Sequence, residues 1–245
     1  MHWFITGGLG FVGLNLIRKL LNQKTTSKII IYDSLKTSQR KDLNLIFQKS
    51  KINAKKNVRI IVGDIRNFEK IKKYSKKSDF FINLAANTGV QPSILNPVMD
   101  NKINILGNLN CLLAFQKIKK KNKKFIFASS GAPIGENEPP FNETSPTNPV
   151  SPYGISKLSC EKYVDYFNKI ENLDCTALRF SNLYGSFSLR KESVVSKMTK
   201  SIIDKHIINI FGDGKQTRDF LHVEDLCDAI IKCCLNTKKN QSLYQ

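Results

Sequence analysis

Thr6-Gly7-Gly8-Leu9-Gly10-Phe11-Val12-Gly13 decides how this chain folds. It follows a short apolar run, Trp3-Phe4-Ile5, and opens a segment from Phe11 to Leu21 in which Val12, Leu16, Ile17 and Leu20 share one helical face. The order is therefore strand, glycine turn, helix. Gly7 suits the tight turn out of the strand. Gly10 leaves the backbone open to a close ligand, and Gly13 lets the helix approach the sheet. A helix N-terminus placed there offers unpaired N–H groups and partial positive charge to a diphosphate. Glycines at this spacing and in this context predict a dinucleotide site.

The segments around the loop repeat the same alternation. Ile29-Ile30-Ile31-Tyr32, Val58 to Val62, Asp79 to Leu84, Phe125 to Ala128 and Cys175 to Phe180 read as buried strands. Helical stretches separate them, including a long one from Pro97 to Lys119 and another from Tyr153 to Ile170, with Pro152 at its start. Continuous apolar strands joined by helices predict an α/β fold with a doubly wound, Rossmann-type parallel sheet covered on both faces. Past Leu183 the alternation loosens. Helix-like stretches at 191–205 and 224–236 flank Ile207 to Phe211, and Ser242 to Gln245 reads as the start of a strand. The division expected is a dinucleotide-binding domain over 1–180 and a partial, truncated substrate-binding region over 181–245, some of which returns to the sheet.

Asp33 ends the second strand, twenty residues after Gly13. A carboxylate there can accept from the ribose hydroxyls of an adenosine and would repel a 2′-phosphate, which favours NAD over NADP. Tyr153 and Lys157 stand four apart on one helix and so face the same way. A neighbouring ammonium favours the phenolate of a group that ordinarily titrates at about 10, and such a phenolate could act as a general base toward a sugar or alcohol hydroxyl. Ser129 and Ser130 end the fifth strand at the carboxyl edge, where open sheets of this kind bind ligands.

Composition narrows the classes. The net charge is +19, but the lysines are scattered in pairs and triples, with no recognition motif among them, so a solvated lysine-rich surface is expected rather than a nucleic-acid site. No apolar run approaches a membrane span and no leader is legible before the first strand. The six cysteines form no Cys-x-x-Cys pair and lack a histidine cluster; reduced thiols in a cytoplasmic protein without a metal site are expected.

With these residues assembled, the chain resembles an extended short-chain dehydrogenase/reductase, in the NAD-dependent epimerase/dehydratase family that acts on nucleotide sugars. The resemblance runs through the glycine loop, Gly63-Asp64-Ile65-Arg66, Leu84-Ala85-Ala86, Asn104, the set Ser130, Tyr153 and Lys157, Arg179 to Gly185, and Gly212 to Phe220 followed by His222-Val223-Glu224-Asp225. It implies NAD held by Gly7, Gly10, Phe11, Val12, Gly13, Asp33, Asp64, Ile65, Leu84, Ala85, Ala86, Asn104, Tyr153 and Lys157. It implies catalysis by Ser130, Tyr153 and Lys157, with the substrate gripped by Ser130, Asn182 and Arg218. A homodimer through the helices around 97–119 and 153–170 follows from the same likeness. So does more substrate-binding chain than the sequence carries before Gln245.

Departures from the family pattern refine the expected reaction. Gly131 and Ala132 stand where family dehydratases carry an acidic pair and decarboxylases an acid at the second position. Ile134 replaces a usual Tyr and Asn83 a usual His. Without the two acids, epimerisation is expected by exclusion, through a transient 4-keto sugar and most simply on a UDP-hexose. Dehydration, decarboxylation, reduction and 2-epimerisation of a CDP-sugar stay open within the family, and a non-catalytic NAD sensor or scaffold outside it.

Overall fold

The computed structural model describes residues 1–49, 54–188, 191, 193–210 and 212–245; Phe211, at the end of the apolar stretch from Ile207, lies outside them. Its centre is a parallel sheet. The strands are β1 His2–Thr6, β2 Lys28–Asp33, β3 Val58–Val62, β4 Phe80–Asn83, β5 Lys124–Ala128, β6 Cys175–Leu178 and, at the far edge, β9 Leu243–Tyr244. Their order is β3-β2-β1-β4-β5-β6-β9. The chain winds outward from β1 to β3, then returns to place β4 on the other side of β1. The carboxyl ends of β1 and β4 therefore flank the point where the winding reverses. A two-stranded sheet, β7 Leu183–Tyr184 with β8 Leu221–His222, stands apart.

Alternation along each strand feeds two cores. Trp3, Ile5, Ile29 and Ile31 pack with α1 (Phe11–Leu21) and α9 (Val223–Leu235) on one face. Phe4, Phe81, Phe125 and Phe127 pack with α6 (Gly107–Gln116) and α7 (Pro152–Lys169) on the other. In that second core the rings of Phe4, Phe81 and Phe125 stand in series, 4.8 and 5.1 Å apart. Each fully buried Phe contributes about 1.5–3 kcal/mol, so this aromatic row is a principal brace of the central strands.

The remaining helices are α2 Asp42–Lys49, α3 Phe68–Ser75, α4 Val90–Leu95, α5 Pro97–Asn101 and α8 Val194–Ile203. The long helix expected over 97–119 is three pieces: α5, a π-helical stretch at Lys102–Leu106, and α6. The wider turn has a local use, because it carries Asn104. Strand β6 stops at Leu178, two residues short of the sequence expectation. α7 starts where the sequence places it, since Pro152 occupies the first turn and the Ser151 hydroxyl accepts from the Gly154 N–H at 3.1 Å.

Asp79 anchors the first strand. Its carboxylate accepts from the His2 N–H at 2.7 Å and pairs with Lys120, and these bonds hold it below the usual carboxylate range against the opposing effect of burial. A carboxylate depressed in the folded state adds stability above its unfolded value, about 3.9, and loses it as pH falls through the folded value. Asp79→Asn is therefore expected to lower the Tm at pH 7, with the deficit closing below pH 4. Thermal unfolding across that range reads this, and a deficit independent of pH contradicts it.

Candidate active site

The glycine loop is closed by its neighbours. Gly7 sits at φ +63°, and a Cβ there would lie 2.8 Å from the Ala85 Cα and backbone nitrogen. A Cβ on Gly13 would lie 2.5 Å from the Gly8 carbonyl oxygen. No side chain caps the N-terminus of α1 and no acidic residue stands in its first turn, so its partial positive charge is not offset from within the helix. Leu84 and Ala85 pass directly over the loop: the Leu84 N–H donates to the Thr6 carbonyl at 3.1 Å and the Ala85 N–H to the Thr6 hydroxyl at 3.4 Å.

Asp33 is buried at the end of β2. One carboxylate oxygen accepts from the Leu9 N–H at 3.0 Å; the other accepts from the Leu35 N–H and the Ser38 hydroxyl, both at 2.9 Å. Of about four acceptor positions on a carboxylate, three are filled and one is open. Asp33 thus shapes the glycine loop as well as lining it, a role that its position in the sequence did not reveal. Asp64 is forked by Arg66, at 2.9 Å to Nε and 2.7 Å to Nη2, which holds its carboxyl below the usual range. The Ile65 side chain is buried against Gly107, where a Cβ would stand 2.5 Å from its Cδ1, so Ile65 has only backbone to offer a ligand.

Asn104 lies behind the site. Its amide nitrogen donates to the Asn87 carbonyl, to Asp100 at 2.9 Å and to the Ser156 hydroxyl at 3.1 Å, and its oxygen accepts from the Asn87 N–H at 2.8 Å. It ties the loop after β4 to α5 and α7. Asn83, at the place of the usual His, is also spent internally: it accepts from the Thr6 hydroxyl at 2.6 Å and donates to Asn108 at 2.8 Å.

The candidate side chains Ser130, Tyr153 and Lys157 lie near the place where the end of β5 runs against the first turns of α7. Lys157, only 3% exposed, donates to the Ala128 carbonyl at 2.8 Å, and its ammonium lies 5.6 Å from the centre of the Tyr153 ring. The Ser130 hydroxyl follows two residues later and accepts from the Ala132 N–H at 3.2 Å. A Cβ on Gly154 would stand 2.7 Å from the Ala132 carbonyl, so the turn 130–132 lies against the residue next to Tyr153. Among the described residues nothing bonds the hydroxyl of the largely buried Tyr153. One turn further along α7, Glu161 is buried and forked by Arg179 at 2.9 and 2.8 Å while accepting from the Ser129 hydroxyl at 2.5 Å. Eighteen residues of sequence separate this pair and hide it, although Glu161 repeats the four-residue step from Tyr153 to Lys157.

Asn182 and Arg218 come from separate segments. Asn182, at φ +46°, donates to the Asp219 carbonyl at 3.0 Å, which fastens the end of the 212–220 segment beside β7. The Arg218 side chain is exposed and donates to the Thr217 carbonyl at 2.7 Å. The structure thus joins the two segments through Asn182 but does not aim Arg218 at the turn 130–132.

A doubly wound sheet with a glycine-cradled helix N-terminus and an acidic β2 terminus has the geometry of a dinucleotide-binding fold, with a Tyr–Lys pair over β5. The family comparison agrees: residues 3–244 match the NAD dependent epimerase/dehydratase family, and the chain belongs to it. The cofactor is NAD, and the cradle at Gly7, Gly10 and Gly13 with the uncapped α1 fits its diphosphate. A candidate UDP-glucose 4-epimerase of Methanocaldococcus jannaschii is 35% identical over 230 residues, 92% of this chain and 70% of that protein. The UDP-N-acetylglucosamine 4-epimerase of Methanobrevibacter ruminantium M1, solved with UDP-N-acetylmuramic acid, superposes with a TM-score of 0.86 at 31% identity, covering 97% of this chain and 74% of that one. The UDP-glucose 4-epimerase of Thermotoga maritima, solved with UDP-glucose, gives 0.82 at 32% identity over 94% and 72%. The chain is a nucleotide-sugar epimerase/dehydratase enzyme by family. No helix among the described residues is long and apolar enough to cross a membrane.

Proposed function

We propose that this chain is a nucleotide-sugar 4-epimerase acting on a UDP-hexose. One observation supports the choice within the family: the turn Ser130 to Ala132, which lies against the residue next to Tyr153, brings a hydroxyl but no carboxyl group. The site can therefore move a proton at an oxygen but holds no acid there to expel water from the neighbouring carbons.

In this reading Tyr153 takes the proton of the C4 hydroxyl and later returns it. Ser130 donates to the same oxygen and orients it. Lys157 supplies positive charge beneath the phenol and fixes α7 on β5 through Ala128. Bound in the cradle of Gly7, Gly10 and Gly13, NAD would supply reversible oxidation at C4. Gly7, Gly10, Phe11, Val12 and Gly13 offer backbone to the diphosphate, Asp33 its open acceptor to the ribose, Asp64 and Ile65 the adenine edge, and Leu84 to Ala86 a wall. Asn104 serves by holding that wall. Asn182 and Arg218 grip the substrate diphosphate, Arg218 by swinging in from solvent. The relatives act on UDP-sugars by their names, which supports a UDP-hexose for this chain. Incubation with NAD and UDP-glucose, UDP-N-acetylglucosamine or UDP-glucuronate should yield the 4-epimer of one of them by chromatography; no epimer from a chain that binds NAD contradicts the reading.

Asp33→Ala should weaken NAD binding at least tenfold, as loss of a charged hydrogen bond costs about 1.5–3 kcal/mol, and should narrow the preference for NAD over NADP. Calorimetry with both cofactors reads this; an unchanged ratio contradicts the role. Homodimerisation is part of the proposal. α4, α5 and α7 pack together, and the 84% exposed Leu95 of α4 and half-exposed Ile155 of α7 are among the apolar side chains they leave outward. Light scattering should give twice the chain mass, and Ile155→Glu should halve it; a monomeric wild type refutes this part.

A further inference from the structure

Glu161 is more than a core ion pair. Tyr153, Lys157 and Glu161 follow one another at four-residue steps on α7, so the three stack along one face of the helix. Lys157 and Glu161 then grip consecutive residues of the end of β5: Lys157 donates to the Ala128 carbonyl at 2.8 Å, and Glu161 accepts from the Ser129 hydroxyl at 2.5 Å. The next residue is Ser130. Arg179, just past the end of β6, closes the arrangement with its fork to Glu161, and its own N–H donates to Tyr244 of β9 at 2.8 Å. Glu161 and Arg179 are each 6% exposed. One carboxylate thus joins α7, β5 and β6 directly beneath the reacting groups.

We propose that Glu161 is a positioning residue for the reaction: with Arg179 and Ser129 it fixes the register of α7 on β5 and so sets the spacing between the Tyr153 phenol and the Ser130 hydroxyl. Two features separate this from ordinary core stabilisation. A buried ion pair replaced as a whole by neutral side chains of similar size is often tolerated by the fold, so stability alone does not call for these residues. And the groups that Glu161 holds are neighbours of the reacting groups rather than general core. A bond of misplacement matters there, since an error of about 1 Å in a reacting geometry costs on the order of 10²-fold in rate. Neither Glu161 nor Arg179 belongs to the glycine loop or the β2 terminus, so the diphosphate and ribose contacts that dominate cofactor affinity should be kept, and only the contacts of Tyr153 and Lys157 should feel a shift of α7.

The proposal rests on the epimerase reading, and the test separates the two. Glu161→Gln leaves the Arg179 charge buried and unmatched, and that variant can fail to fold. The informative variant is therefore the double replacement Glu161→Gln with Arg179→Met, which removes both charges. It is expected to unfold near the wild-type temperature and to bind NAD within twofold of wild type. Its kcat should fall at least tenfold at an unchanged KM. Hydrogen exchange, which needs no turnover, should quicken at least tenfold at residues 128–131 while β1 exchanges as before. A wild type without epimerase activity sinks the epimerase reading and leaves the exchange result to judge the positioning role. A folded double variant with wild-type kcat, or with wild-type exchange at 128–131, overturns the proposal.

Discussion

Tyr153→Phe is expected to lose turnover by at least about 10²-fold while binding NAD as the wild type does. Proton transfer by a placed side chain supplies roughly 10²–10⁴-fold, and the hydroxyl is the one group removed. The ring stays where it is: the Tyr153 N–H still donates to the Ser93 hydroxyl at 3.1 Å, and Lys157 still holds Ala128 at 2.8 Å. The effect should fall on kcat with little change in KM, because the lost interaction is made most strongly as the proton moves. Single-turnover assays beside NAD calorimetry read both quantities. A variant with more than about a tenth of wild-type turnover would remove Tyr153 from the mechanism and the 4-keto route with it.

The second large effect is expected at Gly13→Ala. A methyl group there meets the Gly8 carbonyl at 2.5 Å and the Gly8 Cα at 2.6 Å. These are backbone atoms, so no side chain can rotate away. The N-terminus of α1 must lift from the loop that it cradles with, and overpacking of this kind costs about 1–3 kcal/mol of stability. NAD affinity should fall further, by about 10²-fold, because the diphosphate site is made of the backbone that moves. Calorimetry and a melting curve on one preparation separate the two losses. Wild-type NAD affinity in this variant would show that the loop is not the cofactor's cradle.

Much of this could be read from residue order alone because its causes are local. The glycine loop needs only its own residues and the strand and helix beside it, and the apolar runs of β1, β2, β4 and β5 report burial on both faces directly. Asp33 was legible as an acceptor, but its bonds to Leu9 and Ser38 depend on how the loop folds back over β2. The bonds of Asn104 to Asn87, Asp100 and Ser156 depend on a π-helical turn, which leaves no mark on a 3.6-residue apolar period. The Glu161–Arg179 pair joins a helix to a strand, and separation in sequence hides such a pair. The apolar run from Ile207 to Ile210 forms no strand, and Ile207 is 88% exposed. A strand needs a neighbour to bond, and the pattern of one segment does not say whether it has one.

The most direct test of the account uses a UDP-hexose carrying deuterium at C4, incubated with this chain and NAD. The expected product is a 4-epimer that keeps its deuterium at C4, formed without net reduction of NAD, since the same hydrogen leaves and returns. Loss of the label to water, or a product that has shed water or carbon dioxide, would contradict it.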